Sequence, residues 1–279
     1  MYEVAERILG YDLKKIVLEG PENLLNQTLH SQPALLIAGL AAVEKLKHET
    51  PTALDQIAYV AGLSLGEYTA LVYARALTFE DAIRLVQVRA MAMQSASETT
   101  QGEMMTVVGL EDAALKRHCV KARKATKEFV QISNFLNPKG RVISGQPNAV
   151  AAVRNVLQAN TGVRLFDVPV SGAFHTKLMA PAQDALIESL SNTPISEPTV
   201  PVIANINGRP YATPQDIQEG LARQLVGQVM WQKSVEYMIS EGATVMYDMG
   251  PGKQIMGMLR QINKPIAKAD RPTAVNIEV

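Results

Sequence analysis

The sequence predicts an α/β fold into which a second, smaller unit is inserted. The chain has 279 residues, 47% of them hydrophobic, enough to bury one large core and a smaller one. Short apolar runs typical of strands alternate with helical patterns along most of the chain, which favours a largely parallel sheet in the main body. Between residues 103 and 170 the order becomes strand, helix, strand, strand, helix, strand, which is typical of a ferredoxin-like unit.

The individual elements follow from apolar spacing and capping residues. Before the inserted unit we expect helices over 32–50 and 78–96, the second capped by Thr78, and a short strand at 57–61. In the inserted unit we expect strands at 103–110, 129–135, 140–145 and 163–170 and helices at 111–127 and 146–160. After it we expect a helix from about Thr176, a strand at 200–206, helices at 214–226 and 231–242, a strand at 244–250 and a final helix. The predicted division is a large subdomain in two parts, 1–102 and 171–279, around a small one at 103–170.

Composition excludes several classes of function. Lys plus Arg and Asp plus Glu both number 27, so no overall field favours nucleic acid or a membrane surface. The single cysteine, Cys119, rules out an internal disulfide and fits a reducing compartment. Successive helical residues point about 100° apart, so Cys119 cannot pair with His118 as a thiol catalyst. The longest apolar run, 33–43, is too short to cross a bilayer, and the first residues lack the apolar region of a signal peptide. We expect a soluble intracellular protein.

The segment Gly62-Leu63-Ser64-Leu65-Gly66 is the main candidate for chemistry. It follows the strand formers of 57–61 and precedes a helical pattern from Gly66, which is the context that a G-x-S-x-G nucleophile elbow requires. The alternative is an ordinary tight turn with an idle serine. We expect Ser64 to expose its hydroxyl at the sheet edge, above a helix N-terminus.

His175 is the best placed of four histidines to serve as a base for Ser64. The stretch "VPVSGAFHT" places it just beyond a strand and a turn, where open α/β sheets assemble their sites. The alternative is a buried structural histidine. His48 and His118 lie in polar or basic helical stretches and are expected to be solvated, and His30 is interpreted as a loop residue. No acid stands out as a third member, because Asp167 alternates towards solvent; a backbone carbonyl is the alternative partner of the base.

Arg89 lies on the apolar face of the helix from Thr78, in register with Ala82, Val86 and Met93. A buried guanidinium needs an anion, and a substrate carboxylate held in a bidentate manner would suit arginine. The alternative is that the stem packs while the charged end reaches water, and the sequence leaves both interpretations open. The segment "GPGKQ" at 250–254 has the composition of a phosphate-binding loop, but a turn is the favoured interpretation.

Taken together, these motifs make the chain resemble the malonyl-CoA:acyl carrier protein transacylases. The segments "GLSLGEYTALV", "LVQVRAMAMQ", "NFLNPKGRVISG", "GAFHT", "VMWQKSVEYM" and "DMGPGKQI" occur in that family's order and spacing, nearly from end to end. The resemblance implies an α/β-hydrolase-like large subdomain and a ferredoxin-like small one, in agreement with the order of elements above.

The resemblance also implies an activity with named residues. Ser64 would carry the acyl group, His175 would be its general base and Arg89 would bind the free carboxylate of malonyl. The Leu65 backbone N–H would face the oxyanion. By the same resemblance Asn134 and Asn137 would line the cleft, Phe174 would narrow the pocket, and the backbone carbonyl of Met230 would orient the histidine. The implied reaction is a ping-pong transfer of malonyl from coenzyme A to the phosphopantetheine thiol of acyl carrier protein, which supplies fatty acid biosynthesis.

Several further expectations accompany the resemblance. The protein is expected to be a monomer that needs no metal or cofactor, acting in a bacterial cytoplasm or in a plastid or mitochondrial matrix. The docking surface for an acidic carrier protein would lie on the basic helix of the small unit, with a solvated basic face as the alternative. Its residues are Lys116, Arg117, Lys121, Arg123, Lys124 and Lys127.

Three departures from the family pattern bear on activity. Leu63 stands where many members have histidine, and Arg75 replaces a usual small residue. The sequence opens within an amphipathic helix containing Val4 and Ile8, so the family's opening strand and its G-Q-G-x-Q loop, which gives a second oxyanion donor, do not precede it. We therefore expect weak activity or poor solubility for these 279 residues alone. The competing functions are a serine thioesterase or esterase, and an inactive relative that binds carrier protein.

Overall fold

The computed structural model describes residues 1–170 and 172–279. In that part of the chain the α-helices are α1 (Tyr2–Leu9), α2 (Leu13–Glu19), α3 (Glu22–Leu25), α4 (Thr28–Glu49), α5 (Gly66–Tyr73), α6 (Phe79–Thr99), α7 (Asp112–Thr126), α8 (Pro147–Leu157), α9 (Ala180–Ser191), α10 (Pro214–Val226), α11 (Trp231–Ser240) and α12 (Gln254–Ile262). The strands are β1 (Val60–Ala61), β2 (Glu103–Val108), β3 (Val130–Asn137), β4 (Gly140–Gly145), β5 (Arg164–Val168), β6 (Val202–Ile203), β7 (Val245–Met249) and β8 (Thr273–Ile277).

The inserted unit has the element order that the sequence predicts. Its four strands form one antiparallel sheet in the order β3-β4-β2-β5, and α7 and α8 follow β2 and β4 in the chain. Apolar residues of the two helices, among them Leu115 and Val150, pack with Met105 and Ile143 of the sheet into a core of their own. The ferredoxin-like arrangement is confirmed, while the domain boundaries at 102/103 and 170/171 stay predictions.

The main body contains parallel strand pairs, but they are shorter and more separate than predicted. β1 pairs with β6, and β7 pairs with β8, each pair in parallel. The strand expected over 200–206 is limited to Val202–Ile203, because the chain then turns at Gly208, whose φ of +72° is left-handed. The final strand β8 was missed, although its sequence Thr-Ala-Val-Asn-Ile is rich in β-branched residues.

Helices build most of the large core and bring the polar groups of the site together. α6 begins where predicted, since the Thr78 hydroxyl accepts a hydrogen bond from the Asp81 N–H at 3.1 Å. It packs against α4 and α9, and α9 packs against α10. α10 starts with a capping box between Thr213 and Asp216, which fixes its direction and places its last turn near the end of β1.

The small sheet is attached to the body through β3. The Phe135 N–H donates to the Val229 carbonyl and the Val229 N–H donates to the Ser133 carbonyl, both at 2.8 Å. β3 departs from regular pairing at these positions, with register shifts between Ile132 and Asn134 and between Phe135 and Asn137. This connection holds the small sheet beside the segment that leads into α11.

A cavity of about 550 Å³ lies between β1 and β7. Residues of β1, β7, α4 and α5 line it, including Gly39, Ala61, Leu65 and Met246. Ser64, Arg89 and His175 do not line it, so the cavity is separate from the polar cluster described below. None of the helices in the described part of the chain is long and apolar enough to cross a membrane.

Candidate active site

Ser64 occupies a strained turn between β1 and α5. Its φ of 51° is left-handed, which is uncommon for a residue other than glycine and marks a sharp change of direction. A Cβ on Gly62 would lie 2.0 Å from the backbone carbon and oxygen of Gly66, so the turn closes only with glycine at that position. A Cβ on Gly66 itself would meet nothing within 4 Å. The structure thus has the geometry of the predicted nucleophile elbow.

Asn205 holds this turn from the end of β6. Its side-chain oxygen accepts a hydrogen bond from the Ser64 N–H at 2.6 Å, and its side-chain nitrogen donates to the Gly62 carbonyl at 2.7 Å. Its backbone N–H donates to a carboxylate oxygen of Glu67 at 3.0 Å. Asn205 is fully buried, so these bonds are made away from water. One buried amide therefore offsets part of the strain of the turn.

His175 contacts the serine as a general base must. Its Nε2 lies 2.9 Å from the Ser64 Oγ, and its Nδ1 lies 2.8 Å from the backbone carbonyl of Gln224. A carbonyl can only accept, so Nδ1 carries the proton and Nε2 is left as the acceptor for the serine hydroxyl. The Gln131 side chain donates to the His175 carbonyl at 3.1 Å and helps to hold its backbone.

The expectation that Met230 supplies the orienting carbonyl is wrong. The carbonyl of Met230 accepts from the Ser234 N–H at 3.1 Å, within the first turn of α11, whereas the last turn of α10 lies against the imidazole. A backbone carbonyl does orient the base, as expected, but it belongs to Gln224. Asp167 is exposed and pairs with Arg154, so it is not part of the site, also as expected.

Burial keeps His175 neutral. The imidazole is buried, and removal from water lowers its pKa from 6.5 to about 4, with the nearby positive charge of Arg89 acting in the same direction. The bond to the Gln224 carbonyl favours the charged form and opposes part of this shift. At neutral pH the imidazole is therefore available to accept a proton.

Arg89 is enclosed beside the nucleophile. It is 1% exposed, so the interpretation in which its charged end reaches water is wrong. Its guanidinium donates to the Gln32 side-chain oxygen, to the Ser64 Oγ at 3.0 Å and to the Gln224 side-chain oxygen at 3.0 Å. Burial lowers its pKa. In residues 1–170 and 172–279 no carboxylate forms an ion pair with it, and its Nε–H has no acceptor. The site thus holds a cation whose described partners are all neutral.

Four other residues are implied by the resemblance, and only some of them lie next to Ser64 or His175. Leu65 is buried at the start of α5, and among the described residues no group accepts a hydrogen bond from its N–H. Phe174 is buried next to His175 in the large core. The Asn134 side chain accepts from the Ser133 hydroxyl at 2.7 Å, and Asn137 lies at the turn between β3 and β4. No described hydrogen bond joins either asparagine to Ser64, His175 or Arg89, so their role in lining the cleft stays a prediction.

The remaining histidines and motifs fall outside the site. His30 is not a loop residue; it lies inside α4, buried edge-on against Tyr11 with 4.8 Å between ring centroids. His48 is exposed, as expected, and His118 is half-buried.

Cys119 is buried and burial raises its pKa to about 11, which fits an unreactive thiol. Gly250 and Gly252 in "GPGKQ" have positive φ, as a sharp bend before α12 requires, and the preference for a turn over a phosphate-binding loop stays a prediction. Ser171 of the predicted turn before His175 lies outside the described residues, and the described residues include no cluster of potential metal ligands.

Three buried polar residues near the site were not predicted from the sequence, and they share one feature. Gln32, Glu67 and Gln224 are each polar residues at buried positions of helices. Gln32 precedes Leu36 and Leu40 on α4, and Gln224 follows Ile217 and Leu221 on α10, which are the same helical spacings that singled out Arg89. The same reasoning applied to every helix would have found both glutamines.

The Ser64 hydroxyl is hydrogen-bonded to a neutral His175 and lies beside the buried cation of Arg89. This arrangement is typical of a serine-dependent acyl-transfer protein. Comparison with known proteins agrees. The acyl transferase domain family matches residues 2–274, and the chain belongs to this family.

The relatives confirm the family resemblance and the two-part fold. The mitochondrial malonyl-CoA-acyl carrier protein transacylase of Mus musculus is 38% identical over an alignment 279 residues long, gaps included, which covers 96% of this chain and 73% of the relative. The crystal structure of an acyl carrier protein S-malonyltransferase from Vibrio cholerae O1 biovar eltor matches with a TM-score of 0.89 and 38% identity, over 100% of this chain and 88% of that one. A malonyl-transacylase in complex with its type II PKS acyl-carrier protein matches with a TM-score of 0.88 and 32% identity, over 100% and 86% of the two chains.

The contrast between the two glycines of the elbow gives a stability prediction. Gly62→Ala should destabilise the fold by at least about 3 kcal/mol, because its Cβ would overlap the Gly66 backbone and the turn would have to open. Gly66→Ala is the matched control and should leave the melting temperature nearly unchanged, since its Cβ meets no neighbour. Thermal denaturation of the three proteins measures the difference. Equal melting temperatures would show that the turn does not depend on the close approach at Gly62.

The environment of His175 gives a pH prediction. Its folded-state pKa of about 4 lies below the ordinary 6.5, so this group contributes stability that is complete above pH 6.5 and is lost as the pH falls from 6.5 towards 4. An NMR titration of the imidazole nitrogens, assigned with a His175→Asn variant, should find His175 neutral down to pH 5.5. A protonation midpoint above pH 6 would contradict the proposed effect of burial.

Proposed function

We propose that the protein transfers a malonyl group from coenzyme A to the phosphopantetheine thiol of acyl carrier protein through a malonyl-serine intermediate. One observation carries the choice of malonyl: the guanidinium of Arg89 lies 3.0 Å from the Ser64 Oγ and has no described carboxylate partner. In malonyl a single methylene separates the free carboxylate from the thioester carbonyl. A cation in contact with the nucleophile therefore suits this short dicarboxylic acyl group. The names of the relatives support the same substrate.

The first half-reaction follows from the contacts of Ser64. As the Ser64 Oγ bonds to the thioester carbonyl carbon, His175 Nε2 takes the hydroxyl proton, and the Gln224 carbonyl stabilises the charged imidazole through Nδ1–H. The oxyanion forms next to the Leu65 N–H at the start of α5. The carbon–sulfur bond then breaks, and the departing coenzyme A thiolate takes the proton from Nε2.

The second half-reaction reverses these steps. His175 takes the proton of the phosphopantetheine thiol as its sulfur attacks the malonyl-serine ester, and the Ser64 oxygen leaves and recovers that proton. Arg89 binds the malonyl carboxylate throughout, which keeps the acyl group in place between the two steps.

Arg89 also favours this reaction over the alternatives. A thioesterase or esterase for uncharged acyl groups does not need a buried guanidinium beside its nucleophile. In such an enzyme no interaction with the substrate would offset the energetic cost of burying that charge. An inactive carrier-protein-binding relative would not need the bonded pair of Ser64 and His175. The expectations of a monomer, of activity without a cofactor and of the compartment stay predictions.

The carrier protein is proposed to dock on a basic surface of α7. Five of the six predicted basic residues are exposed there: Lys116, Arg117, Lys121, Lys124 and Lys127. Arg123 differs, because its Nε donates to the Val130 carbonyl at 2.6 Å and its guanidinium covers the Phe129 ring at 4.5 Å. Arg123 therefore serves the small unit itself, and the docking surface consists of the other five residues.

Covalent trapping tests the nucleophile and the base. Ser64→Ala should abolish the malonyl adduct that intact-mass spectrometry detects after incubation with malonyl-CoA, because it removes the attacking oxygen. His175→Ala should slow adduct formation by at least about 10³-fold, the scale for loss of a triad base. An adduct of unchanged mass on the Ser64→Ala protein would show that another residue carries the acyl group.

Substrate preference tests the carboxylate assignment. Arg89→Ala should lose malonyl transfer while its activity with acetyl-CoA rises relative to malonyl-CoA, since acetyl has no carboxylate to pair. Arg84→Ala is the matched control, because Arg84 lies on the same helix with its side chain 57% exposed and should leave the preference unchanged. If Arg89→Ala lowers both rates by the same factor, Arg89 has only a structural role and the choice of malonyl fails.

A further inference from the structure

The side chain of Gln224 connects three parts of the site that the mechanism uses separately. Its Nε2 donates to a carboxylate oxygen of Glu67 at 2.5 Å and to the Ser64 carbonyl at 2.8 Å. Its Oε1 accepts from the Arg89 guanidinium at 3.0 Å. The residue is fully buried, so water does not compete for these bonds. Its backbone carbonyl independently holds His175.

The orientation of this amide is determined by its neighbours. A carbonyl and a carboxylate can only accept hydrogen bonds, so the NH₂ group must face Ser64 and Glu67. The oxygen is then directed at Arg89, which can only donate. The reversed amide would place two donors against each other and an oxygen against two acceptors. Glu67, together with the Ser64 carbonyl, therefore favours the orientation in which the Gln224 oxygen meets the guanidinium.

Glu67 is itself held as an acceptor. It is fully buried, and its first carboxylate oxygen accepts from the Asn205 N–H at 3.0 Å and from the Tyr211 hydroxyl at 2.7 Å. All its described partners are donors, and it has no ion pair among them. Burial raises its pKa to about 7, against the effect of these bonds and of the nearby charge of Arg89. A buried acid in this setting is costly for stability, which favours a role in function.

We propose that Gln224 and Glu67 are positioning residues for carboxylate recognition. In this arrangement Glu67 orients the Gln224 amide, and the amide oxygen holds the Arg89 guanidinium against Ser64. The inference rests on the proposed function, in which Arg89 binds the substrate carboxylate. It assigns the two ends of one residue to different tasks: the backbone of Gln224 orients the base, and its side chain orients the carboxylate-binding cation.

The division between backbone and side chain makes the inference testable. Gln224→Met keeps the backbone carbonyl and a side chain of similar length but removes the amide. Glu67→Gln keeps the shape but leaves one acceptor oxygen, so an NH₂ group must face either the Gln224 NH₂ group or the Asn205 N–H. Gln183→Met is the control, because Gln183 donates to the Ala222 carbonyl of α10 at 3.0 Å without touching Arg89. Removing this hydrogen bond measures the effect of loosening α10 alone, without a change at Arg89.

The readout is the ratio of kcat/KM for Ser64 acylation by malonyl-CoA to that by acetyl-CoA, with the melting temperature measured alongside. Gln224→Met and Glu67→Gln should each lower the malonyl value about tenfold or more relative to the acetyl value, mainly through KM. Gln183→Met should leave the ratio unchanged even if the protein melts earlier. Adding Glu67→Gln to Arg89→Ala should not change the ratio further, since Glu67 acts through Arg89.

The outcomes separate this inference from the proposed function. If Arg89→Ala reduces the ratio while folded Gln224→Met or Glu67→Gln leaves it unchanged, the positioning role is wrong and the function stands. If Arg89→Ala itself leaves the ratio unchanged, the choice of malonyl is wrong. Either variant suffices, so failure of one to fold leaves the other to decide. A further loss in the double variant would also overturn the inference, because Glu67 would then act by another route.

Discussion

A positive charge enclosed in the large core sets the conditions for the rest of the site. Arg89 lies between α4, α5 and α10, and removing its guanidinium from water carries a large energetic cost unless other groups solvate it. Its hydrogen bonds go to neutral oxygens of Gln32, Gln224 and Ser64 rather than to a paired carboxylate. No described carboxylate contacts the charge directly, because Gln224 separates it from the nearby Glu67, so an incoming carboxylate would be a favourable partner.

The same charge influences the proposed catalytic pair, Ser64 and His175. It lies close enough to His175 to disfavour a second positive charge there, in addition to the effect of burial. A neutral imidazole is what the first proton transfer needs. If Arg89 binds a substrate carboxylate as proposed, the local field would become less positive, and the imidazolium formed during acylation would be easier to sustain. In the proposed mechanism, substrate binding and base strength would thus be coupled through the charge of Arg89.

Local patterns predicted the parts of this protein that depend on neighbours in the chain. Thr78, the strand at 140–145 and the helix at 214–226 were placed correctly because capping and apolar periodicity are local signals. Ser64, His175 and Arg89 were found because a motif, a strand end and an apolar stripe each marked one residue. Asn205 was missed, since only the parallel pairing of β1 with β6 brings it to the elbow. The choice of Gln224 over Met230 as partner of the base likewise depends on how α10 packs, which no local spacing encodes.

Both members of the catalytic pair have left-handed backbone, Ser64 with φ of 51° and His175 with φ of 59°. Such a conformation costs a residue with a Cβ on the order of 1 kcal/mol or more, and glycine would adopt it freely. The chain thus keeps two strained residues where selection for stability alone would have placed glycine. Glycine at either position should therefore raise the melting temperature while removing a side chain that the site uses. Random searches for heat-resistant variants should repeatedly select such substitutions, and those variants should be inactive.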